Sequence, residues 1–351
     1  MIEIDGSAGE GGGQVLRSAL ALSLCTRQPV KLRGIRARRP RPGLMRQHLA
    51  CVNAAMQVSG AKAWGAELGS CELVFEPGPV RPGDYSFSVG TAGSCCLVFQ
   101  TVLPALMVAS GPSRLLLGGG THNPMAPPFH FVQRCFAPLL ARLGVGIDLQ
   151  LRRLGFHPAG GGVFAAEVAP PAAQLQPFDL DSRGPLLDTY VECFAPGLPA
   201  RVVQRELDAI GAGLGLLADQ LRAPAARSNE GPGNALLVTV LHEHVGEVVT
   251  AFGEKGVTSE AVAEVAISGV RAYMDSAGAL GPHLADQWML PLALAVSRTG
   301  TPASFTCTDL TLHATTNMGV IEAFLPVAFD AVQHGPASWQ VSVSHRLLPG
   351  T

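Results

Sequence analysis

The sequence predicts an α/β (α+β) chain in which a β-α-β-α-β-β unit occurs three times in tandem, with a small α/β domain inserted in the third copy. Three observations carry that expectation. A helix-like apolar run, a proline and a short strand-like run recur in that order at three places. Each recurrence leads into a second helical stretch and a β-rich tail, the pattern of a sheet covered on one face by two helices. The marker prolines Pro29 and Pro112 stand 83 residues apart but Pro112 and Pro302 stand 190 apart, and the excess of 107 is the size of a small domain.

In the first copy an apolar helix over 15–24 leads through Pro29 to a strand at 30–33, then a helix at 47–58 and a strand at 72–75. In the second, a helix over 96–108 leads through Pro112 to a strand at 114–117. A helix at 131–143 follows, with a hairpin that turns at Gly160-Gly161-Gly162 into 163–168. In the third, a helix at 288–296 leads through Pro302 to a strand at 304–306, a helix at 318–331 and a strand at 339–343. The insert is expected at 181–277, leaving 1–180 and 278–351 as the large domain. It should hold strands at 189–195 and 235–241 and helices at 202–221 and 259–275, the last after a Gly253–Gly256 turn.

Composition narrows the function. Of 351 residues 47% are hydrophobic and 15% charged, ample for a large core, and with 6% aromatics that core rests on Ala, Leu and Val. A net charge of −2 and a pI near 6.5 argue against coating long nucleic acids, so any such contact is local, such as gripping one strand end. No apolar run reaches the roughly 18 residues of a membrane span. Ile2-Glu3-Ile4-Asp5 reads as a strand rather than a secretion signal. The eight cysteines form no CxxC pair, and the favoured reading is buried free thiols in a reducing cytoplasm.

Several segments could carry chemistry. Gly6-Ser7-Ala8-Gly9-Glu10-Gly11-Gly12-Gly13-Gln14 joins the first strand to the first helix, where free N–H groups suit an anion. It is neither a P-loop nor a dinucleotide fingerprint, so a plain turn stays open, although Glu10 beside phosphates would bring a divalent cation. Arg33, Arg36, Arg38, Arg39, Arg41 and Arg46 fall within fourteen residues, a solvated surface taken singly but together suited to bidentate phosphate contacts. Arg17 could point to the same place. Gln100 lies a turn into the second repeat's helix, and the turn from Gly118 through His122, Asn123 and Pro124 to Pro128 is a nucleotide pocket or a structural turn. His242 and His244, two apart on a predicted strand, read as a surface pair. Asp286 could be an N-cap, and His313 by position alone is an ordinary polar residue.

Taken together, these segments resemble the RNA 3′-terminal phosphate cyclase family across nearly the whole chain. The resemblance rests on Asp5-Gly6…Gly9-Glu10-Gly11-Gly12-Gly13-Gln14…Arg17-Ser18, Ile35-Arg36-Ala37…Arg39…Pro42-Gly43-Leu44…Arg46-Gln47-His48, Gly119-Gly120-Thr121…Asn123-Pro124…Ala126-Pro127-Pro128, and His283-Leu284-Ala285-Asp286-Gln287. It implies a thioredoxin-like insert and an enzyme that uses ATP to turn an RNA 3′-phosphate into a 2′,3′-cyclic phosphate through a histidyl-AMP intermediate. By the resemblance His313 is the nucleophile. Glu10, Gln100, Pro128, His283, Asp286 and Gln287 bind ATP, with Glu10 also holding Mg2+ or Mn2+. Arg17, Arg36, Arg39 and Gln47 take the RNA and its phosphates. His283 departs from a tyrosine of some members, and Pro128-Phe129-His130-Phe131 departs from an acidic version. The expected partners are RNA 3′-phosphate ends and ATP, with a homodimer as one assembly. A noncatalytic ribosome-assembly relative and an enolpyruvyl transferase are the alternatives.

Overall fold

The computed structural model describes residues 1–9 and 11–346. The first elements are β1 (Ile2–Asp5), α1 (Gly13–Thr26), β2 (Val30–Arg33), α2 (Arg46–Ser59), β3 (Lys62–Trp64) and β4 (Leu73–Glu76). Their sheet has the order β1-β2-β4-β3, parallel between β1 and β2 and antiparallel elsewhere. α1 stops where Arg27 turns left-handed (φ 58), two residues before Pro29, and α2 stops at left-handed Gly60 (φ 64).

Next come β5 (Asp84–Ser88), α3 (Cys95–Leu106), β6 (Ser113–Gly119), α4 (Phe129–Phe131), α5 (Ala137–Arg142), β7 (Gly146–Arg153) and β8 (Gly162–Ala169). Their sheet order, β5-β6-β8-β7, repeats that of the first with the same parallel and antiparallel pairs. The helix expected at 131–143 is two short α-helices joined by a π-turn over Val132–Phe136.

The chain then forms β9 (Leu186–Phe194), α6 (Ala200–Leu214), β10 (Leu221–Arg222), β11 (Ala235–His242), β12 (Gly246–Phe252) and α7 (Ser259–Met274), with sheet order β10-β9-β11-β12. These elements have a core of their own, in which Val191, Val238 and Ile210 pack with Ala263 and Ile267. The helix expected to reach 221 ends at Leu214, because left-handed Gly215 (φ 69) caps it. β11 ends at His242, so His244 sits in the following turn and the two histidines do not share a strand face.

Last come α8 (Pro282–Thr299), β13 (Ala303–Cys307), α9 (Leu312–Phe324), β14 (Val327–Gly335) and β15 (Ser338–His345), with sheet order β13-β15-β14. The helix expected at 318–331 in fact begins at Leu312, and 327–331 is strand. Pro326 holds Leu325 extended (ψ 144) and ends the helix there. In the place that β1 and β5 hold in their sheets, two single residues run parallel to β13. They are Leu180 beside Phe305 and Leu280 beside Cys307. The chain therefore leaves the third sheet at Leu180 and rejoins it at Leu280. Arg183 ties the two ends, donating from Nε to the Gly278 carbonyl (2.8 Å) and from Nη2 to that of Ser276 (2.8 Å). A single large core joins the three sheets, with Trp288, Phe75, Phe99, Phe164 and Phe305 buried in it.

Candidate active site

Four helices meet at one cleft, and three of them present polar side chains at i, i+3 and i+4. α1 offers Gln14, Arg17 and Ser18; α8 offers His283, Asp286 and Gln287; α9 offers His313, Thr316 and Asn317. That spacing puts three polar groups on one face of a helix whose other faces are apolar. α3 adds Gln100, whose Nε2 donates to Gln287 Oε1.

The starts of these helices set the geometry. Gly9 is left-handed (φ 56), and a Cβ there would lie 2.0 Å from Thr316 Oγ1, so only glycine lets the loop press against α9. A Cβ on Gly13 would fall 2.2 Å from His48 Nε2. The Thr311 hydroxyl caps α9 by accepting from the Ala314 amide (3.2 Å), which places His313 in the first turn. α8 opens with Pro282, and the Gly281 amide donates to Glu247 Oε2 (3.0 Å) on β12.

A continuous bond chain crosses the cleft. The Ser18 hydroxyl donates to Asn317 Oδ1 (2.7 Å), and Asn317 Nδ2 donates to the Asp286 carbonyl (3.1 Å) and to Asp286 Oδ1 (3.2 Å). Gln14 Nε2 donates to the same Oδ1, and Gln14 Oε1 lies 2.6 Å from His313 Nδ1.

Electrostatics keep the imidazole neutral. Burial lowers the pKa of His313, Asp286 acts to raise it, and Arg17 and Arg39 lower it further. The partial positive charge at the α9 N-terminus acts in the same direction. His283 is also lowered, by burial first, with Asp286 opposing and His313 reinforcing. Burial raises the Asp286 carboxyl, against the stabilising bond from Gln14 and the charges of His313 and Arg17. His48 is pushed down to about 3 by burial and by Arg17 and Arg36.

Beside these groups lies a cavity of about 570 Å³, within the range of small-molecule sites. Gln14, Arg17, Gln100, Asp286, Gln287 and His313 make its polar end. Leu97, Pro104, Pro128, Phe131, Phe136 and Phe252 make its apolar wall. The π-turn matters here, because an i→i+5 turn brings Phe131 and Phe136 toward one side.

Of the residues singled out in the sequence, the structure brings Arg17, Gln100, Pro128, His283, Asp286, Gln287 and His313 to this cavity. Arg39 is close enough to bias His313. Arg36 and Gln47 serve the adjoining loops. The left-handed Arg36 donates to the carbonyls of Arg41 (2.6 Å) and Gly43 (3.0 Å), and Gln47 Oε1 accepts from the Ser94 amide (2.7 Å) at the start of α3. In the Gly118–Pro128 turn, His122 and Asn123 are buried in structural bonds and the prolines face the cavity.

Glu10 lies outside the described residues. Among the described residues no three His, Cys, Asp or Glu side chains converge as a metal site. Asp286 Oδ1 accepts from Gln14 and Asn317.

The sequence marks Gln14 only as part of the glycine motif and does not single out Asn317. The readable signal was the i, i+3, i+4 polar triplet in three apolar helices. All eight cysteines are free thiols. Among the described residues no helix is long and apolar enough to cross a membrane.

The RNA 3'-terminal phosphate cyclase family matches residues 8–331. A protein of that name from Pseudomonas fluorescens is 49% identical over 331 residues, covering 94% of each chain. Its namesake from Koribacter versatilis is 48% identical over 330 residues, 94% of this chain and 91% of its own. A third, from Ralstonia nicotianae, is 49% identical over 328 residues, 93% and 92% of the two chains. With a family match over nearly its whole length and relatives this similar, the chain belongs to the RNA 3'-terminal phosphate cyclase family.

Proposed function

We propose that this chain is an ATP-dependent enzyme that converts an RNA 3′-terminal phosphate into a 2′,3′-cyclic phosphodiester. The observation that carries the reading is His313, held neutral at the polar end of a nucleotide-sized cavity with Arg17 and Arg39 beside it. A neutral imidazole has the lone pair that a nucleophile needs. It attacks the α-phosphorus of ATP, the bond to the bridging oxygen breaks, and pyrophosphate leaves. An oxygen of the RNA 3′-phosphate then takes the AMP from the histidine, forming an RNA-(3′)pp(5′)A anhydride. The vicinal 2′-hydroxyl loses its proton as it attacks the 3′-phosphorus, and AMP departs.

In this reading Arg17 and Arg39 offset charge on the phosphates, and the apolar wall takes the base, with His283 at its edge. Asp286, Gln287 and Gln100 hold the nucleotide near the histidine. Arg36 and Gln47 shape the RNA side, and Pro128 the base side. Glu10 is the residue we assign to the triphosphate and its Mg2+ or Mn2+. We further read the fold as three βαβαββ copies forming a large domain of 1–180 and 278–351. Residues 181–277 are then an inserted thioredoxin-like domain, which the shared strand order and the separate second core support. Eight free thiols support a reducing cytoplasm.

The test uses α-labelled ATP with Mg2+ or Mn2+. The expected result is an acid-labile, alkali-stable label on protein, absent in His313→Ala and discharged by RNA ending in 3′-phosphate but not 3′-hydroxyl. A wild-type protein that takes no label under varied metals would point to a noncatalytic, ribosome-assembly role instead.

A further inference from the structure

We propose that Gln14 is the positioning residue of the His313 imidazole: its side-chain amide connects the Asp286 carboxylate to Nδ1, keeping the proton there and the lone pair on Nε2. The proposal rests on the histidyl-nucleotide reading above and adds to it the group that selects one ring tautomer.

The direction of each bond follows from groups with only one role. A backbone carbonyl can only accept, so the Asn317 nitrogen 3.1 Å from the Asp286 carbonyl must be the amide Nδ2. Asn317 Oδ1 then faces Ser18, whose hydroxyl donates to it at 2.7 Å. The same Nδ2 reaches Asp286 Oδ1, so that oxygen is an acceptor and Gln14 must present its Nε2 to it as well. This turns Gln14 Oε1 toward His313 Nδ1, 2.6 Å away. An amide oxygen cannot donate, so Nδ1 carries the hydrogen. The opposite tautomer would set two lone pairs face to face.

The interposed amide also keeps a carboxylate off Nδ1. An anion in contact with Nδ1 would favour imidazolium, which has no lone pair to attack with. A neutral amide passes on the orientation without bringing the full charge to the ring. The bonds join residues 299 and 272 positions apart, so α1 aligns α9 against α8 at the reacting nitrogen. Fixing a ring through the group behind it is how supporting residues set tautomer at metal-bound and catalytic histidines.

The experiment compares the full-length wild type with Gln14→Leu and Gln14→Glu, each checked for fold by circular dichroism. Two-bond 1H–15N NMR on 15N-histidine protein, with the His313 signals identified by their loss in His313→Ala, reads the tautomer without any nucleotide. Single-turnover transfer of label from α-labelled ATP across pH reads the chemistry. We expect protonated Nδ1 in the wild type and loss of that preference in Gln14→Leu, with labelling slowed about 10- to 100-fold. Gln14→Glu should recover part of the rate, with its pH profile displaced upward because the new anion favours imidazolium. An Nε2–H tautomer in the wild type, or wild-type labelling and tautomer in Gln14→Leu, overturns the proposal. If Gln14→Leu fails to fold, an unshifted profile in Gln14→Glu overturns it. A wild type that takes no label but loses its Nδ1–H tautomer in Gln14→Leu supports the positioning role and sinks the histidyl-nucleotide reading instead.

Discussion

Glu247 offers the sharpest test of how the 186–274 segment supports the cleft. Its carboxyl is buried on β12 and accepts from the Gly281 amide at the start of α8, the helix that carries His283, Asp286 and Gln287. Burial raises its pKa to about 7, against the opposing pull of the Gly281 bond, Arg183 and the Val248 amide. A folded-state value above the unfolded one means that the native state holds this proton more tightly. Its stabilising contribution is thus fully present below about pH 4.5 and lost as pH rises through about 7. At about 1.4 kcal/mol per pKa unit, ionisation should cost roughly 2–3 kcal/mol between pH 5 and pH 8.5. Glu247→Gln keeps an acceptor for Gly281 and cannot ionise. Urea unfolding of both proteins at the two pH values should therefore show the variant gaining that amount on the wild type at pH 8.5, other titrations cancelling in the difference. If the stability difference between the two proteins is the same at both pH values, Glu247 is not a buried acid of this kind.

Three further outcomes are expected. His48 and His122 are buried and pushed down to about 3 by burial and nearby arginines, so their protonation in the unfolded chain should destabilise the protein as pH falls below about 6.5. Each should cost about 2 kcal/mol at pH 5. His48→Asn, which keeps an acceptor for the Met45 amide, should remove one such share in an acid titration of the urea midpoint. Gly13→Ala places a methyl against His48 and Arg17, and overpacking of about 1–3 kcal/mol should outweigh the gain in helix propensity, lowering the thermal midpoint and labelling by ATP together. Arg134→Met strips a buried Glu192 of its partner across the joint between the π-turn and β9, and denaturant unfolding should register a loss of about 3–5 kcal/mol.

Much of the architecture was readable because it is written in local periodicity. The apolar helices before Pro29, Pro112 and Pro302, and the strands after them, follow from side-chain spacing and from what proline forbids. Reading failed where an element was short or its end depended on one backbone angle. β5 and β12 carry no pattern strong enough to separate them from loop. α9 had to be bounded by Thr311 and Pro326 rather than by its apolar run. That boundary moved His313 from a loop to the first turn of a helix, which changed both its electrostatics and its neighbours.

The amino-acid order makes the polar residue types of the cleft available and marks the apolar helices that carry them. Arg17 and Asp286 lie in motif segments and His313 is assigned by the family resemblance, but only Arg17 falls inside a helix legible in the sequence, because the helices expected from 288 and 318 begin at Pro282 and Leu312. What each side chain touches is set by long-range packing. Gln14 reaches His313 across 299 residues and Asp286 across 272, and no local rule reports such pairs. They exist because the packed core holds α1 between α8 and α9. Packing is a property of the whole chain, and it makes an ordinary glutamine the neighbour of the one histidine whose lone pair the proposed reaction needs.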